Sequence, residues 1–285
     1  MQYHFILNKI VHQAEATISV FDLGLLRGYG AFDFFKVHAG VPVFMDDHID
    51  RFFNSARLLH LTIAYSRTEL KEVIYQLIKK NEMVDGTFKM VLTGGVSSNG
   101  FTMDGDPGLM ILAGKLSFEI YSEYDKVKTM RLKTLDYVRE TPTVKTLNYL
   151  MPMMHWNEVT AGQFDDVLYV KDGLISETSR ANIFFITQDE KLVTPNKNIL
   201  PGITRKYILE LAKEMPVEER EISLKEALTC KEIFLTSTTK QVMPVVGIDE
   251  YLIGEGKRGE LSGKLFDDFY ALENNFIQKH KTQWI

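Results

Sequence analysis

Cysteine is nearly absent: the 285-residue chain has one, Cys230. A single thiol excludes an intramolecular disulfide framework and any multi-cysteine metal site, and it fits a reducing compartment. Blocks of one charge are also missing. Lysine and arginine (33 together) are mixed with aspartate and glutamate (38), and the formal net charge of -5 leaves no electrostatic footprint for nucleic acid. No apolar run approaches the length of a membrane span. Met1 to Ile10 alternate polar and apolar residues and lack the charged and apolar regions of a secretory leader. The expectation is a cytoplasmic protein that binds small molecules, with no nucleic acid, membrane or metal partner. What the chain has is 45% hydrophobic residues, enough for two core-bearing units.

Tyr3 to Asn8 and Ala16 to Val20 have strand character and are expected to form a hairpin. Gly24, Gly28 and Gly30 mark backbone that needs unusual dihedrals or close approach. Their spacing matches neither the dinucleotide fingerprint nor the P-loop, so a tight loop at a subunit or domain contact is expected. Ala31 to His38 reads as an aromatic strand. Ile49, Phe52, Phe53, Ala56 and Leu59 recur at helical spacing, and Leu70, Val73, Ile74 and Leu77 repeat that period within Ser66 to Lys80. Arg51 and Arg57 lie on the first of these helices, either as solvated charges or, turned inward, as partners for a phosphate dianion. Phe88 to Thr93 and Leu109 to Leu112 are strands. These elements make a small α/β domain over residues 1–116, followed by a linker over 117–124 and a larger domain over 125–285.

Two near-duplicate segments carry lysines in different surroundings. Lys133-Thr134-Leu135-Asp136-Tyr137 belongs to an alternating strand that sets Arg131 and Lys133 on one face and Met130 and Leu132 on the other, so Lys133 reads as solvated. Lys145-Thr146-Leu147-Asn148-Tyr149 leaves a proline-containing loop and runs into Leu150, Met151, Met153, Met154 and Trp156, a helix with Pro152 in its first turn. Burial disfavours the ammonium form, so a lysine set among apolar residues becomes a nucleophile for a carbonyl. The alternative is a stem packed on the core with its head in water.

Asp166 to Val170 and Ile183 to Ile186 are β-rich, and Lys171-Asp172-Gly173 signals a hairpin. Between these runs stands Glu177, followed by Ser179 and Asn182. A carboxylate among buried strands is costly unless a positive charge or hydrogen-bond donors stand nearby. Leu200-Pro201-Gly202-Ile203-Thr204-Arg205 opens a helix through Leu211, whose free amides and dipole favour an anion, or bind only water and caps. Glu232 to Pro244 delivers a buried strand into Thr236-Ser237-Thr238-Thr239-Lys240, a second anion cradle or an ordinary hydroxyl-rich turn. A helix over Leu261 to Ile277 is expected to cover the larger domain.

One small molecule needs such a lysine, carboxylate, helix start and turn together: pyridoxal 5′-phosphate, through its aldehyde, ring nitrogen and phosphate. In their order, from about Phe21 to Pro244, these motifs resemble the class IV (fold type IV) pyridoxal-phosphate-dependent aminotransferases, the family of branched-chain and D-amino acid aminotransferases and aminodeoxychorismate lyase. The resemblance implies an α/β (α+β) fold, with a small N-terminal α/β domain and a larger domain around a barrel-like β core. It implies that Lys145 is the Schiff-base lysine and proton shuttle, and that Glu177 pairs with the pyridine nitrogen. Arg51, in His48-Ile49-Asp50-Arg51, would bind the phosphate with the amides of Ile203 and Thr204 and the side chains of Ser237 and Thr238. Tyr149 would lie near the cofactor hydroxyl, Thr239 and Lys240 would face the substrate, and Phe32 would line an aromatic substrate pocket. A homodimer is also implied.

The departures from the family concern the substrate. Leu92-Thr93-Gly94-Gly95 lacks both the arginine and histidine with which the D-amino acid enzymes hold a substrate carboxylate and the arginine motif of the branched-chain enzymes. Arg27 stands where relatives tend to have an aromatic residue, and either supplies the missing contact or makes a structural salt bridge in its loop. The expected activity is amino-group exchange between an amino acid of branched-chain or D-type and a 2-oxo acid such as 2-oxoglutarate. The alternatives are an aminodeoxychorismate-type lyase and a dimer that binds the cofactor without turnover.

Overall fold

Leu7 and Asn8 both take positive φ, 45° and 79°, and so reverse the chain in a two-residue turn that closes β1 (Tyr3–Ile6) onto β2 (Lys9–His12). The expected pairing of Tyr3 to Asn8 with Ala16 to Val20 is therefore corrected. With the ladder complete at His12, residues 13–15 form a turn of 3₁₀ helix and 16–20 join no strand.

The computed structural model describes residues 1–281 and divides the chain into two compact units. The first comprises Met1–Glu119, Val144–Asn148 and Asn274–Ile285, and the second Ile120–Thr143 and Tyr149–Glu273.

After β2, the first unit contains α1 (Leu23–Arg27), β3 (Gly30–His38), β4 (Val41–Pro42), α2 (Met45–Leu58), α3 (Arg67–Lys80), β5 (Gly86–Thr93) and β6 (Gly108–Gly114). Asp22 caps the short α1, and Gly28 ends it at φ 64°, a left-handed position that an L side chain occupies only with strain. The strands form an antiparallel sheet in the order β2-β1-β6-β5-β3-β4. Ile49, Phe52 and Ala56 of α2 and Leu70, Ile74 and Leu77 of α3 pack against Phe35 and Phe88 of the sheet. That is the helical stripe legible in the sequence, and each buried aromatic contributes on the order of 2 kcal/mol. Ser66 and Glu69 make a reciprocal capping box that fixes where α3 begins.

The second unit contains β7 (Met130–Asp136), α4 (Leu150–Met154), α5 (Trp156–Ala161), β8 (Asp166–Lys171), β9 (Leu174–Thr178), β10 (Asn182–Ile186) and β11 (Leu192–Thr194). It continues with α6 (Ile203–Leu211), β12 (Val217–Glu219), β13 (Ile222–Ser223), α7 (Leu224–Ala227), β14 (Glu232–Ser237), β15 (Gln241–Ile248) and β16 (Tyr251–Leu252), and α8 (Glu260–His280) begins in it, its residues from Asn274 onward belonging to the first unit. The sheet order is β12-β11-β10-β14-β15-β7-β8-β9-β13, with β16 beside β15. Because β9 returns against β10, the central strands curl into a half-barrel. Every residue of β10 is buried, and the rings of Phe184 and Phe234 stack at 5.1 Å, which is why both strands read as continuous apolar runs. Asp172 and Gly173, at φ 51° and 75°, close the expected hairpin between β8 and β9. Pro152 falls in the first turn of α4, where its missing amide costs nothing. Among the described residues, no helix is long and apolar enough to cross a membrane, and no group of three or more His, Cys, Asp or Glu is placed to hold a metal.

Candidate active site

Lys145 lies in the first unit, on a segment stitched to β3. Its carbonyl accepts from the Phe32 amide at 2.8 Å, and the Leu147 amide donates to the Gly30 carbonyl at 3.1 Å. Ala31 and Thr146 form a bridge between these bonds. The Lys145 amide reaches Ser55 Oγ of α2 at 3.4 Å, so the main chain is held from the sheet and from the helix. The side chain is half-buried, with Nζ 4.6 Å from the centre of the Phe32 ring. Its sequence duplicate is placed otherwise: Lys133 Nζ pairs with Asp249 at 2.9 Å on a side chain 39% exposed, and that bond raises its pKa. Both lysines are half-buried; what separates them is the partner, a carboxylate for Lys133 and an aromatic ring beside Lys145.

Below the Lys145 segment, β3 and α2 bury a polar cluster of which the sequence reading named Arg51 as a site residue but gave no role to Asp33 or His48. Arg51 donates from Nε to Asp33 Oδ2 at 2.8 Å and from Nη2 to Oδ1 at 2.9 Å, and His48 Nδ1 contacts Oδ1 at 2.7 Å. Asp33 is fully buried. Burial pushes its carboxyl upward, but the Arg51 charge and the His48 bond outweigh that and hold it well below the usual carboxylate range. Burial lowers the His48 pKa, with Asp33 opposing and Arg51 and Lys145 adding to the depression. His48 is thus neutral, with its Nδ1 hydrogen donated to Asp33. Arg51 points inward and is clamped by a carboxylate. The signal was available: Asp33 interrupts an aromatic strand, and a buried carboxylate requires a cation.

In the second unit Glu177 is buried at the end of β9, and both of its oxygens are engaged. Arg139 donates to Oε1 from Nε at 2.8 Å and from Nη2 at 2.7 Å. The Leu200 amide donates to Oε2 at 3.0 Å, and Asn182 Nδ2 to the same oxygen at 3.3 Å. The cost that the sequence assigned to this carboxylate is met by one cation and two neutral donors. Arg139 is a further residue that the sequence reading missed.

Leu200 leads into α6. Gly202 is its N-cap and supplies no side-chain bond, so the first-turn amides of Ile203 and Thr204 begin a helix without a side-chain cap. A Cβ at Gly202 would lie 2.0 Å from Asn182 Oδ1, so any side chain there would force Asn182 or the loop to shift. The hydroxyl turn between β14 and β15 brings Ser237 Oγ to 3.3 Å from Thr239 Oγ1, with Thr238 between them. Lys240 is buried, its Nζ 3.6 Å from Asp166 Oδ2, and burial lowers its pKa against the opposing pull of Asp166. Tyr149 is half-buried at the N-cap of α4. Arg27 is exposed in the last turn of α1, where Nη1 donates to the Leu26 carbonyl at 2.9 Å.

Residues 30–248 match the model of the family described as amino-transferase class IV. The chain belongs to that family. Class IV aminotransferases use pyridoxal 5′-phosphate. The donor set fits that cofactor: a half-buried amine, a buried carboxylate with a cationic partner, a helix start without a side-chain cap and a hydroxyl-rich turn. This class IV chain is 30% identical to a protein of Methanocaldococcus jannaschii provisionally described as a branched-chain-amino-acid aminotransferase, over 93% of this chain and 94% of the other. It is 27% identical to a D-alanine aminotransferase of Bacillus licheniformis, over 95% and 96% of the two chains. Among solved structures, the T.th. branched-chain amino acid aminotransferase with pyridoxamine 5′-phosphate gives a TM-score of 0.87 at 23% identity, covering 99% of this chain and 97% of that one. The last likeness carries the fold, which is that of the fold type IV enzymes expected from the sequence.

Proposed function

We propose that this class IV chain is a transaminase that moves an amino group between an amino acid of branched-chain or D-type and a 2-oxo acid such as 2-oxoglutarate, working as a cytoplasmic homodimer. The observation that supports it most is the buried Glu177 carboxylate, paired with the Arg139 guanidinium through two hydrogen bonds. Proton-transfer chemistry on a pyridine ring needs such a fixed anion to hold the ring nitrogen protonated. Bound at these residues, pyridoxal 5′-phosphate supplies an electron sink for the charge that develops at the substrate α-carbon.

The chain's own groups do the rest. Lys145 Nζ would hold the cofactor through its aldehyde and, as a free amine, would carry the proton of the substrate α-carbon. The Phe32 ring lies 4.6 Å from Nζ and covers one side of the amine. The amides of Ile203 and Thr204 and the hydroxyls of Ser237 and Thr238 would hold the phosphate, and Arg51 would be its guanidinium partner. Asp33 and His48 set the plane of that guanidinium. Tyr149 would lie near the ring hydroxyl, while Arg27, Phe32, Thr239 and Lys240 are assigned to the substrate.

A second reading is favoured by one comparison: the chain is 26% identical to the aminodeoxychorismate lyase of Bacillus subtilis, over 92% of this chain and 91% of that one. The two are separated by assay. Exchange between branched-chain or D-amino acids and 2-oxoglutarate supports the transaminase. Pyruvate release from aminodeoxychorismate without exchange supports the lyase, and no turnover of either kind would leave a cofactor-binding dimer.

A further inference from the structure

We infer that Asn182 is a positioning residue that makes the Glu177 carboxylate and the amides opening α6 a single rigid clamp. The inference rests on the reading that those amides hold the cofactor phosphate. Three hydrogen bonds and one steric constraint carry it, all within the second unit. The Leu200 amide donates to Glu177 Oε2 at 3.0 Å, while the Leu200 carbonyl accepts from Asn182 Nδ2 at 2.9 Å. The same nitrogen donates to Glu177 Oε2 at 3.3 Å. On its other edge, Asn182 Oδ1 fills the space that a Cβ on Gly202 would need, at 2.0 Å.

Both main-chain groups of Leu200 are therefore held by this pair, one by the carboxylate and one by the amide beside it. Only Pro201 and Gly202 separate Leu200 from the first-turn amides of Ile203 and Thr204. Proline restricts the intervening backbone, so a displacement of Leu200 passes on to those amides. Asn182 itself cannot drift, because it opens β10 in register with Thr236 of β14, the strand that ends in the Ser237 turn. The residue is buried and its two amide hydrogens are both committed.

This geometry makes a prediction opposite in sign to simple electrostatics. Glu177 is negative, and Arg139 beside it is positive. Neutralising Glu177 should tighten phosphate binding if charge alone matters. If Glu177 instead fixes Leu200, neutralising it loosens the loop and weakens phosphate binding.

The test uses the full-length apoenzyme and inorganic phosphate, titrated calorimetrically. Glu177→Gln is expected to weaken phosphate binding roughly tenfold, equivalent to one well-placed hydrogen bond; unchanged or tighter binding would overturn the inference. Asn182→Ala, which alters no charge, is expected to weaken phosphate by a similar factor while pyridoxal, which lacks the phosphate, loses less than about threefold, since Arg139 still holds Glu177. Equal losses for both ligands, or none, would contradict the positioning role. Should Asn182→Ala fail to fold, the sign seen with Glu177→Gln decides alone. Wild-type apoenzyme that binds pyridoxal but no phosphate would overturn the phosphate assignment itself, and this inference with it.

Discussion

Arg139 holds Glu177 through two hydrogen bonds to one carboxylate oxygen, at 2.8 and 2.7 Å, with the carboxylate side chain 4% exposed and the guanidinium 17%. Removing one member of such a pair strands a charge in a poorly solvated site. Arg139→Ala is expected to lower unfolding free energy by about 3 kcal/mol and to reduce kcat/KM at least about a hundredfold. The double variant Arg139→Ala with Glu177→Gln should be more stable than Arg139→Ala alone, because the second change discharges the orphan. Urea denaturation of the three variants measures this, and additive losses would contradict it.

The Asp33, His48 and Arg51 cluster gives stability a defined acid limb. Asp33 has a folded pKa below its unfolded value near 3.9, so its contribution is complete above about pH 4 and fades as pH falls toward the folded value. His48 is also depressed when folded, so the unfolded chain takes up its proton first, and stability declines as pH falls below about 6.5. His48→Gln should flatten the decline immediately below pH 6.5 and leave the lower limb in place. Unfolding free energy followed from pH 8 to pH 3 tests this; an unchanged upper limb would count against a neutral buried histidine.

Gly202 faces Asn182 too closely for a side chain. Gly202→Ala is expected to cost on the order of 1–3 kcal/mol through forced displacement of the loop. Combined with Asn182→Ala, which opens that space, it should add less than the sum of the two single effects. Thermal melts of the pair would show strict additivity if the two residues were independent.

Burial pushes the Cys230 thiol up to about 11, with Glu226 adding to the rise. Its reactivity toward a thiol reagent at pH 8 should be negligible in the native protein and complete in denaturant. Rapid labelling without denaturant would show that the β14 end of the second unit opens readily.

Much of this arrangement is legible in the chain because it repeats. The stripes of α2 and α3, the apolar runs of β10 and β14 and the turn at Asp172-Gly173 each carry a local period or a turn residue. The alternation around Lys133 separates it from Lys145 without any structure. Other features hide for physical reasons. The first hairpin turns at Leu7-Asn8, which contains no glycine, so the later polar gap looked like the better turn. Arg139 stands in an irregular segment after β7, where no periodicity assigns a face, and its contact with Glu177 exists only because β7 and β9 flank β8 in the curled sheet. Asp33 was legible as an anomaly in an aromatic strand, but its partners come from α2, which packs on β3.

The central claim is that Lys145, and not its duplicate Lys133, carries the cofactor aldehyde. Borohydride reduction of the yellow holoenzyme, followed by proteolysis and peptide mass mapping, should place a single phosphopyridoxyl mass on Lys145. A tag on Lys133, or no tag on any lysine, would contradict the account.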